Sequence, residues 1–312
     1  MHTLTAADIA RLLPMRDAID VVADAFVAIS RGDGEYPPRV HMSIAHGDAL
    51  VMPGYDGRGH FGVKIATIHP GNVAEGKPGT RASYVLIDAN DGEARLLCDG
   101  TALTALRTGA ASGLATRRLA RTDATTLALF GVGSQAAAQL DAVCSVRPIR
   151  DIRVVSRHAE RAERFIAAMR KRYPDATIER ANAEAALSGA QVIVTATNSP
   201  TPVVDARRVD HGAHLNAIGS FRPDMREFDP ALLSRARLFV DQRAAALEES
   251  GEIIEAVTKG YITPDDLVEL GAVTEGARTS VDEITVFKTV GQAALDLFTA
   301  VELLRRATQA PD

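Results

Sequence analysis

Residues 125–139 read TTLALFGVGSQAAAQ. Positions 125–130 are mostly apolar and open on β-branched Thr125 and Thr126. Then come Gly131, Val132, Gly133, Ser134, Gln135 and Ala136, followed by an alanine-rich run. An apolar stretch, a glycine turn and a helix-forming segment in that order spell strand, turn, helix. Glycine at 131 admits backbone angles closed to other residues, and glycine at 133 lets a phosphate approach the chain without meeting a Cβ. The helix then offers unpaired N–H groups and the positive end of its dipole to a pyrophosphate. Ala136 stands where the fingerprint accepts Gly or Ala, so helix and strand still pack closely.

A lone fingerprint also fits an ordinary strand–turn–helix, so the surroundings decide. A second apolar strand, 151–156 (DIRVVS), ends about twenty residues after the glycines, as a βαβ unit requires. Further short apolar runs at 190–196, 214–218 and 237–241 are separated by helical patterns. Alternation at that spacing predicts a parallel, doubly wound α/β sheet with a dinucleotide site. An NAD-preferring site places Asp or Glu at the end of the second strand to bind the ribose hydroxyls. Here the strand ends in Ser156, Arg157 and His158, with Arg161 one turn on. A carboxylate repels a 2′-phosphate, whereas a hydroxyl and a guanidinium bind one. NADPH is the expected cofactor, with NADH admissible because neither residue excludes the plain ribose. Arg157 also reads simply as a solvated residue opening the next helix.

At 312 residues the chain suits two domains. A net charge of −5, no basic block and no tryptophan argue against a nucleic-acid partner. Cys98 and Cys144 lie far apart without a CxxC, which signals neither zinc nor a disulfide framework. His41, His46, His60 and His69 share no ligand spacing, so no metal is expected. The start is polar and amphipathic, and no apolar run approaches the ~20 residues of a membrane span. The expectation is a cytoplasmic protein without a membrane partner.

Ahead of the nucleotide module, Thr5 and Asp8 resemble a helix cap and first turn, and 17–30 has the spacing of an amphipathic helix. Runs at 39–44, 48–52, 62–68 and 82–88 predict strands, with a hairpin turn at 88–92. Residues 101–119 read as a helix rich in small residues. A final helix, from 292 to about 306, is expected to return to the first domain. Lys64 lies in a strand pattern on the same face as Gly62 and Ala66, small neighbours that leave room beside it. A lysine there is costly unless paired; an anionic substrate would pair it, and an edge-strand position would also explain it. Arg107 sits in a helix of apolar or tiny residues and either reaches a ligand anion or makes an internal salt bridge. Arg39, after Pro37 and Pro38, is the third candidate cation, or a solvated loop residue.

Four segments, 61–64 (FGVK), 103–108 (LTALRT), 131–135 (GVGSQ) and 284–291 (ITVFKTVG), together resemble the ornithine cyclodeaminase/μ-crystallin family over nearly the whole chain. The resemblance implies a homodimer. It implies a substrate and dimerisation domain of α+β type at 1–118, completed by 290–312, and a Rossmann domain at 119–289. It implies that Arg39, Lys64 and Arg107 hold a substrate carboxylate, with Met52 and Val290 also at the substrate. Thr80, Arg107, Gly131, Gly133, Ser134, Gln135, Ser156, Arg157, Thr197, Asn216, Ala217, Ile218 and Thr289 would line the nucleotide. Two departures matter. Where cyclodeaminases carry acids for proton transfer and for the substrate's amino group, this chain has Phe221 and Leu50. Asp224 is displaced by three positions and is not expected to replace the lost acid. The expected activity is therefore NAD(P)H-dependent reduction of a cyclic imino acid. A cyclodeaminase or amino-acid dehydrogenase, and a non-catalytic NADPH-binding protein, are the alternatives.

Overall fold

The computed structural model describes residues 1–73 and 75–309; positions 310–312, the tail of the expected C-terminal segment, lie outside the described residues. The chain divides into two compact units, Met1–Arg107 with Gln292 onward, and Thr108–Gly291. The division falls inside the helix Gly100–Leu119 rather than after residue 118. Its small residues run on without a break in helical hydrogen bonding, so no linker composition marks the point.

In the first unit, β1 (His2–Leu4), β2 (Val40–Ile44), β3 (Gly47–Tyr55), β4 (His60–Ile68), β5 (Thr80–Asp88) and β6 (Ala94–Asp99) form one sheet in the order β1-β6-β5-β4-β3-β2. β2 to β6 pair antiparallel as a meander, and β1 adds parallel to β6. The strand β1 has only three residues, too short to leave a period in the sequence. Helix α1 (Ala6–Leu12) opens on a capping box in which Thr5 and Asp8 satisfy each other's backbone N–H. Helix α2 (Met15–Arg31) stops at Gly32, whose φ of +70° favours glycine. Helix α3 (Gly100–Leu119) follows β6.

The second unit carries β7 (Thr126–Phe130), α4 (Ala136–Val146), β8 (Asp151–Val155), α5 (Ala159–Arg172), β9 (Thr177–Arg180), α6 (Ala183–Leu187), β10 (Val192–Thr195), β11 (His214–Ala217), β12 (Ala236–Val240), α7 (Arg243–Glu249), α8 (Gly251–Thr258), β13 (Val268–Glu269) and β14 (Ile284–Lys288). Its sheet runs β13-β12-β14-β11-β10-β7-β8-β9, every neighbouring pair parallel. The chain steps outward from β7 through β8 to β9, then returns to place β10 on the other side of β7. That reversal is the switch point where doubly wound sheets open a crevice. All residues of β10, β11 and β14 are buried, as expected for strands covered on both faces. β9 escaped the sequence reading because TIER buries Ile178 alone.

The closing helix α9 (Ala293–Gln309) belongs to the first unit. It packs on α2 and on β3 to β6, and Arg306 fastens its end by donating to Leu12 O at 3.0 Å and pairing with Asp17 at 2.8 Å. Among the described residues no helix is long and apolar enough to cross a membrane.

Candidate functional site

In the first unit, strand alternation turns Lys64 inward with Gly62 and Ala66 and leaves Ile65 outward. β4 lies between β3 and β5, so the edge-strand explanation of Lys64 does not apply. The space at Gly62 is not left for the lysine: a Cβ there would stand 2.0 Å from the Tyr84 hydroxyl. Lys64 is 3% exposed and its Nζ donates to Asp296 Oδ2 at 2.6 Å. Arg107, also buried, donates from Nε to Asp296 Oδ1 at 3.0 Å. Met52 is the cross-strand partner of Lys64 in β3 and Tyr84 its partner in β5.

Asp296 was missed in the sequence. It stands fully buried on α9 between Leu295 and Leu297, and an acid inside such an apolar helix was the available signal. Burial alone would raise its carboxyl, but Arg107 and Lys64 hold it below the ordinary carboxylate range. Lys64 moves the other way. Burial and then Arg107 pull it down to about 7, against the counter-pull of Asp296, and the positive charge of Arg39 adds to the lowering. One carboxylate shared by two buried cations leaves the trio with excess positive charge whenever Lys64 is protonated. A buried excess of one sign calls for a counter-ion.

In the second unit, Gly131 has φ +99°, and a Cβ on it would come within 2.4 Å of Ala196 O, so only glycine turns the chain here. Gly133 is the opposite case: a Cβ there would meet no heavy atom within 4 Å. Its open side borders the N-terminus of α4, an eleven-residue helix without a side-chain cap. Gln135 Oε1 is buried and without a hydrogen-bond partner among the described residues. Open space at a glycine, uncapped N–H groups and an orphaned polar atom together fit a dinucleotide pyrophosphate. At the end of β8, Ser156 Oγ accepts from His158 N–H at 3.2 Å, and Arg157 is exposed.

The remaining expected residues divide. Thr197 follows β10 beside the turn: a Cβ on Gly131 would lie 3.2 Å from its Cγ2. Thr289 donates to Asp241 Oδ2 at 2.7 Å, and the same oxygen accepts Val290 N–H and Gly291 N–H at 2.9 and 2.8 Å. Asp241 thus shapes the turn after β14, and it too went unnoticed in the sequence. Asn216 is fully buried, donating to Thr116 at 2.9 Å and lying 3.2 Å from His214 Nε2. Its side chain is spent inside the unit, as the alternation along β11 dictates. Ala217 and Ile218 are buried too, and Thr80 is exposed at the start of β5. Leu50 is buried in β3; Phe221 follows β11 half-buried. Asp224 is exposed and paired with Arg222. Among the described residues no group of three or more His, Cys, Asp or Glu is arranged to hold a metal.

A glycine turn at the switch point of a doubly wound parallel sheet in one unit, and two buried cations sharing Asp296 in the other, define the class: a dinucleotide-type fold joined to a unit with a buried ionic cluster. The chain belongs to the ornithine cyclodeaminase/mu-crystallin family, whose model matches residues 1–310. It is 36% identical to a Δ1-pyrroline-2-carboxylate reductase of Bacillus cereus, over 99% of this chain and 97% of that protein. The solved Δ1-pyrroline-2-carboxylate reductase of Thermococcus litoralis, in complex with NADH and L-proline, superposes with a TM-score of 0.93. The two are 33% identical over 99% of this chain and 98% of that one. An archaeal alanine dehydrogenase, solved as a dimer with bound NAD, gives 0.89 at 32% identity over 98% and 96%.

Proposed function

We propose that this protein reduces cyclic ketimine carboxylates with NAD(P)H, converting Δ1-pyrroline-2-carboxylate to proline and Δ1-piperideine-2-carboxylate to pipecolate. The observation that carries this reading is the buried Lys64–Asp296–Arg107 trio, cationic in sum and without a further acid at Leu50 or Phe221. A cyclic imino acid offers that trio one carboxylate and brings no second amino group that needs an acid. The similarity to the two Δ1-pyrroline-2-carboxylate reductases supports the five-membered ring among these substrates.

Lys64 and Arg107, with Arg39, fix the carboxylate and thereby the plane of the imine beside it. Asp296 holds both cations in one rotamer before the substrate arrives, so little ordering remains for the binding step. Burial of the trio excludes water from the acid's end of the substrate. A reduced nicotinamide, when bound, supplies the hydride for the imine carbon. The nitrogen enters already protonated from solvent, so the site needs orientation more than a strong base. Gly131, Gly133, Ser134 and Gln135 would hold the pyrophosphate, Ser156 and Arg157 the adenosine ribose, and Thr197, Ile218, Thr289 and Val290 the other half.

The missing carboxylate after β8 favours NADPH over NADH. The exposed apolar residues Val40, Met42 and Ile44 on edge strand β2, with Ile65 on β4, favour a homodimer through the first unit's sheet. The unpaired Cys98 and Cys144 suit a reducing cytoplasm. The deciding assay is oxidation of NADPH and NADH by purified protein with Δ1-pyrroline-2-carboxylate. Rapid oxidation, faster with NADPH, is expected. Ammonia release from ornithine or alanine with NAD+, without imine reduction, would replace the proposal with a cyclodeaminase or amino-acid dehydrogenase.

A further inference from the structure

The second unit contains a buried ionic cluster that the proposed chemistry does not use. Glu227, Glu252, Lys288 and Ser220 are all fully buried, and they gather at the carboxyl ends of β10, β11 and β14. Glu227 stands at the centre. Its Oε1 accepts Thr197 N–H at 2.6 Å and the Thr197 hydroxyl at 2.9 Å. Its Oε2 accepts Gly219 N–H at 2.6 Å and Ser220 N–H at 3.3 Å. One carboxylate therefore ties Thr197, the second residue after β10, to Gly219 and Ser220, the second and third residues after β11. The approach is so close that a Cβ on Gly219 would sit 2.0 Å from Thr197 O.

The carboxylate is itself held. Glu252 Oε1 accepts Glu227 N–H at 2.7 Å and the Ser220 hydroxyl at 2.6 Å, and its Oε2 accepts from Ser250 at 2.9 Å. Lys288, the last residue of β14, donates to Ser220 O at 2.5 Å and to its Oγ at 2.6 Å. On the other side, Thr197 abuts the Gly131 turn through its methyl group. A chain of hydrogen bonds thus runs from Lys288 on β14 through Ser220 and Glu227 to Thr197, which stands beside the Gly131 turn. The sheet needs none of it for pairing, because β7, β10, β11 and β14 are already joined by continuous parallel ladders. Ions this costly to bury are expected where a backbone must be held against a ligand. The first half of a doubly wound sheet takes the adenosine side of a dinucleotide and the second half the nicotinamide side. The cluster lies wholly in the second half.

We infer that Glu227 is a positioning residue for the nicotinamide half of the dinucleotide, acting through Thr197 and Gly219. The inference rests on the dinucleotide part of the proposed function but not on the identity of the imine. The test compares two ligands on the full-length chain: NADH, and ADP-ribose, which keeps the adenosine and both phosphates but lacks the nicotinamide. Dissociation constants are measured by calorimetry for wild type, Glu227→Gln and Glu227→Asp. An amide at 227 turns a donor toward donors, and charge-assisted hydrogen bonds of this kind are each worth enough to predict roughly ten- to hundredfold weaker NADH. ADP-ribose should stay within about twofold of wild type. Glu227→Asp keeps the charge but withdraws the carboxylate by one methylene from Thr197 and Gly219, and should weaken NADH about fivefold with the same selectivity; it carries the test if Glu227→Gln fails to fold. Equal losses for the two ligands, or unchanged NADH binding, overturn the inference. Selective loss in a protein that does not reduce the imine upholds it while sinking the proposed substrate. Wild type that binds neither of these ligands nor NADPH sinks both.

Discussion

Each unit buries an ionic cluster, and the two are built on opposite plans. In the first, two cations share the single carboxylate of Asp296, and burial pulls Lys64 down to about 7. In the second, two carboxylates are saturated by backbone N–H groups and hydroxyls, and Lys288 turns back on Ser220. The first cluster has charge left over and the second has donors enough. A cluster with an excess of one sign is prepared for a ligand of the other sign; a saturated one is prepared to hold backbone still. Burial of charge therefore says little about role until the internal partners are counted.

The largest effect should come from breaking the open cluster on its ligand side. Lys64→Met keeps the volume and removes the charge that the substrate carboxylate would meet. Losing one partner of a buried ion pair costs about 2–5 kcal/mol in binding, so kcat/KM for the imine should fall by roughly thirty- to several-thousandfold. NADH affinity should remain at the wild-type value, measured by calorimetry. Loss of NADH affinity in the same variant would show that the trio serves the cofactor instead.

Asp296→Asn attacks the same cluster from within. It strands two buried cations, a change worth about 3–5 kcal/mol of stability. A fall in melting temperature of roughly 6–15 °C is expected by calorimetric scan. An unchanged melting temperature would mean that the cations relax to solvent and that Asp296 does not preorganise them.

A smaller effect follows from the titration of Lys64. Its pKa in the free protein is depressed to about 7, so the ammonium is present below that pH and lost above it. Affinity for a carboxylate should be greatest on the acid side and weaken by up to about tenfold per pH unit above 7. Pyrrole-2-carboxylate, a planar analogue without a titrating amine, reports this by calorimetry across the range. Lys64→Arg, charged throughout, should flatten the profile. A profile that keeps its slope in the variant would assign the titration to another group.

The difference between the clusters also explains what the sequence disclosed. The glycine turn and the runs at 151–156, 190–196 and 214–218 were legible because backbone geometry and covered strands impose local patterns. Lys64 and Arg107 were legible as charges in apolar surroundings, since neither period nor composition accounts for them. Asp296 carried the same signal, an acid between Leu295 and Leu297, but its role emerges only with partners far along the chain, at 64 and 107. The same holds for Glu227, which looks like an ordinary loop acid until Thr197 and Gly219 are seen to converge on it. Asn216 shows the converse: it lies in a segment expected to line the nucleotide, yet the pleat turns its amide toward Thr116. Four-residue strands such as β9, with one buried side chain, lie below what alternation can reveal.

The weakest effect should belong to the exposed cation at the end of β8, and its weakness is itself informative. Arg157 is solvent-exposed, where a charge interaction is screened and contributes about 0–1 kcal/mol per pair. Arg157→Ala should therefore reduce the preference for NADPH over NADH only about threefold, read as the ratio of kcat/KM values. That preference should also decline with added salt, because the Debye length shrinks from about 10 Å at 0.1 M to about 3 Å at 1 M. Binding of the imino acid by the buried trio should respond far less to salt, since little solvent or counter-ion reaches Lys64 and Arg107. Equal salt sensitivity of the two would place the acid at the surface and undo the distinction between a buried clamp and an exposed reader of the ribose phosphate.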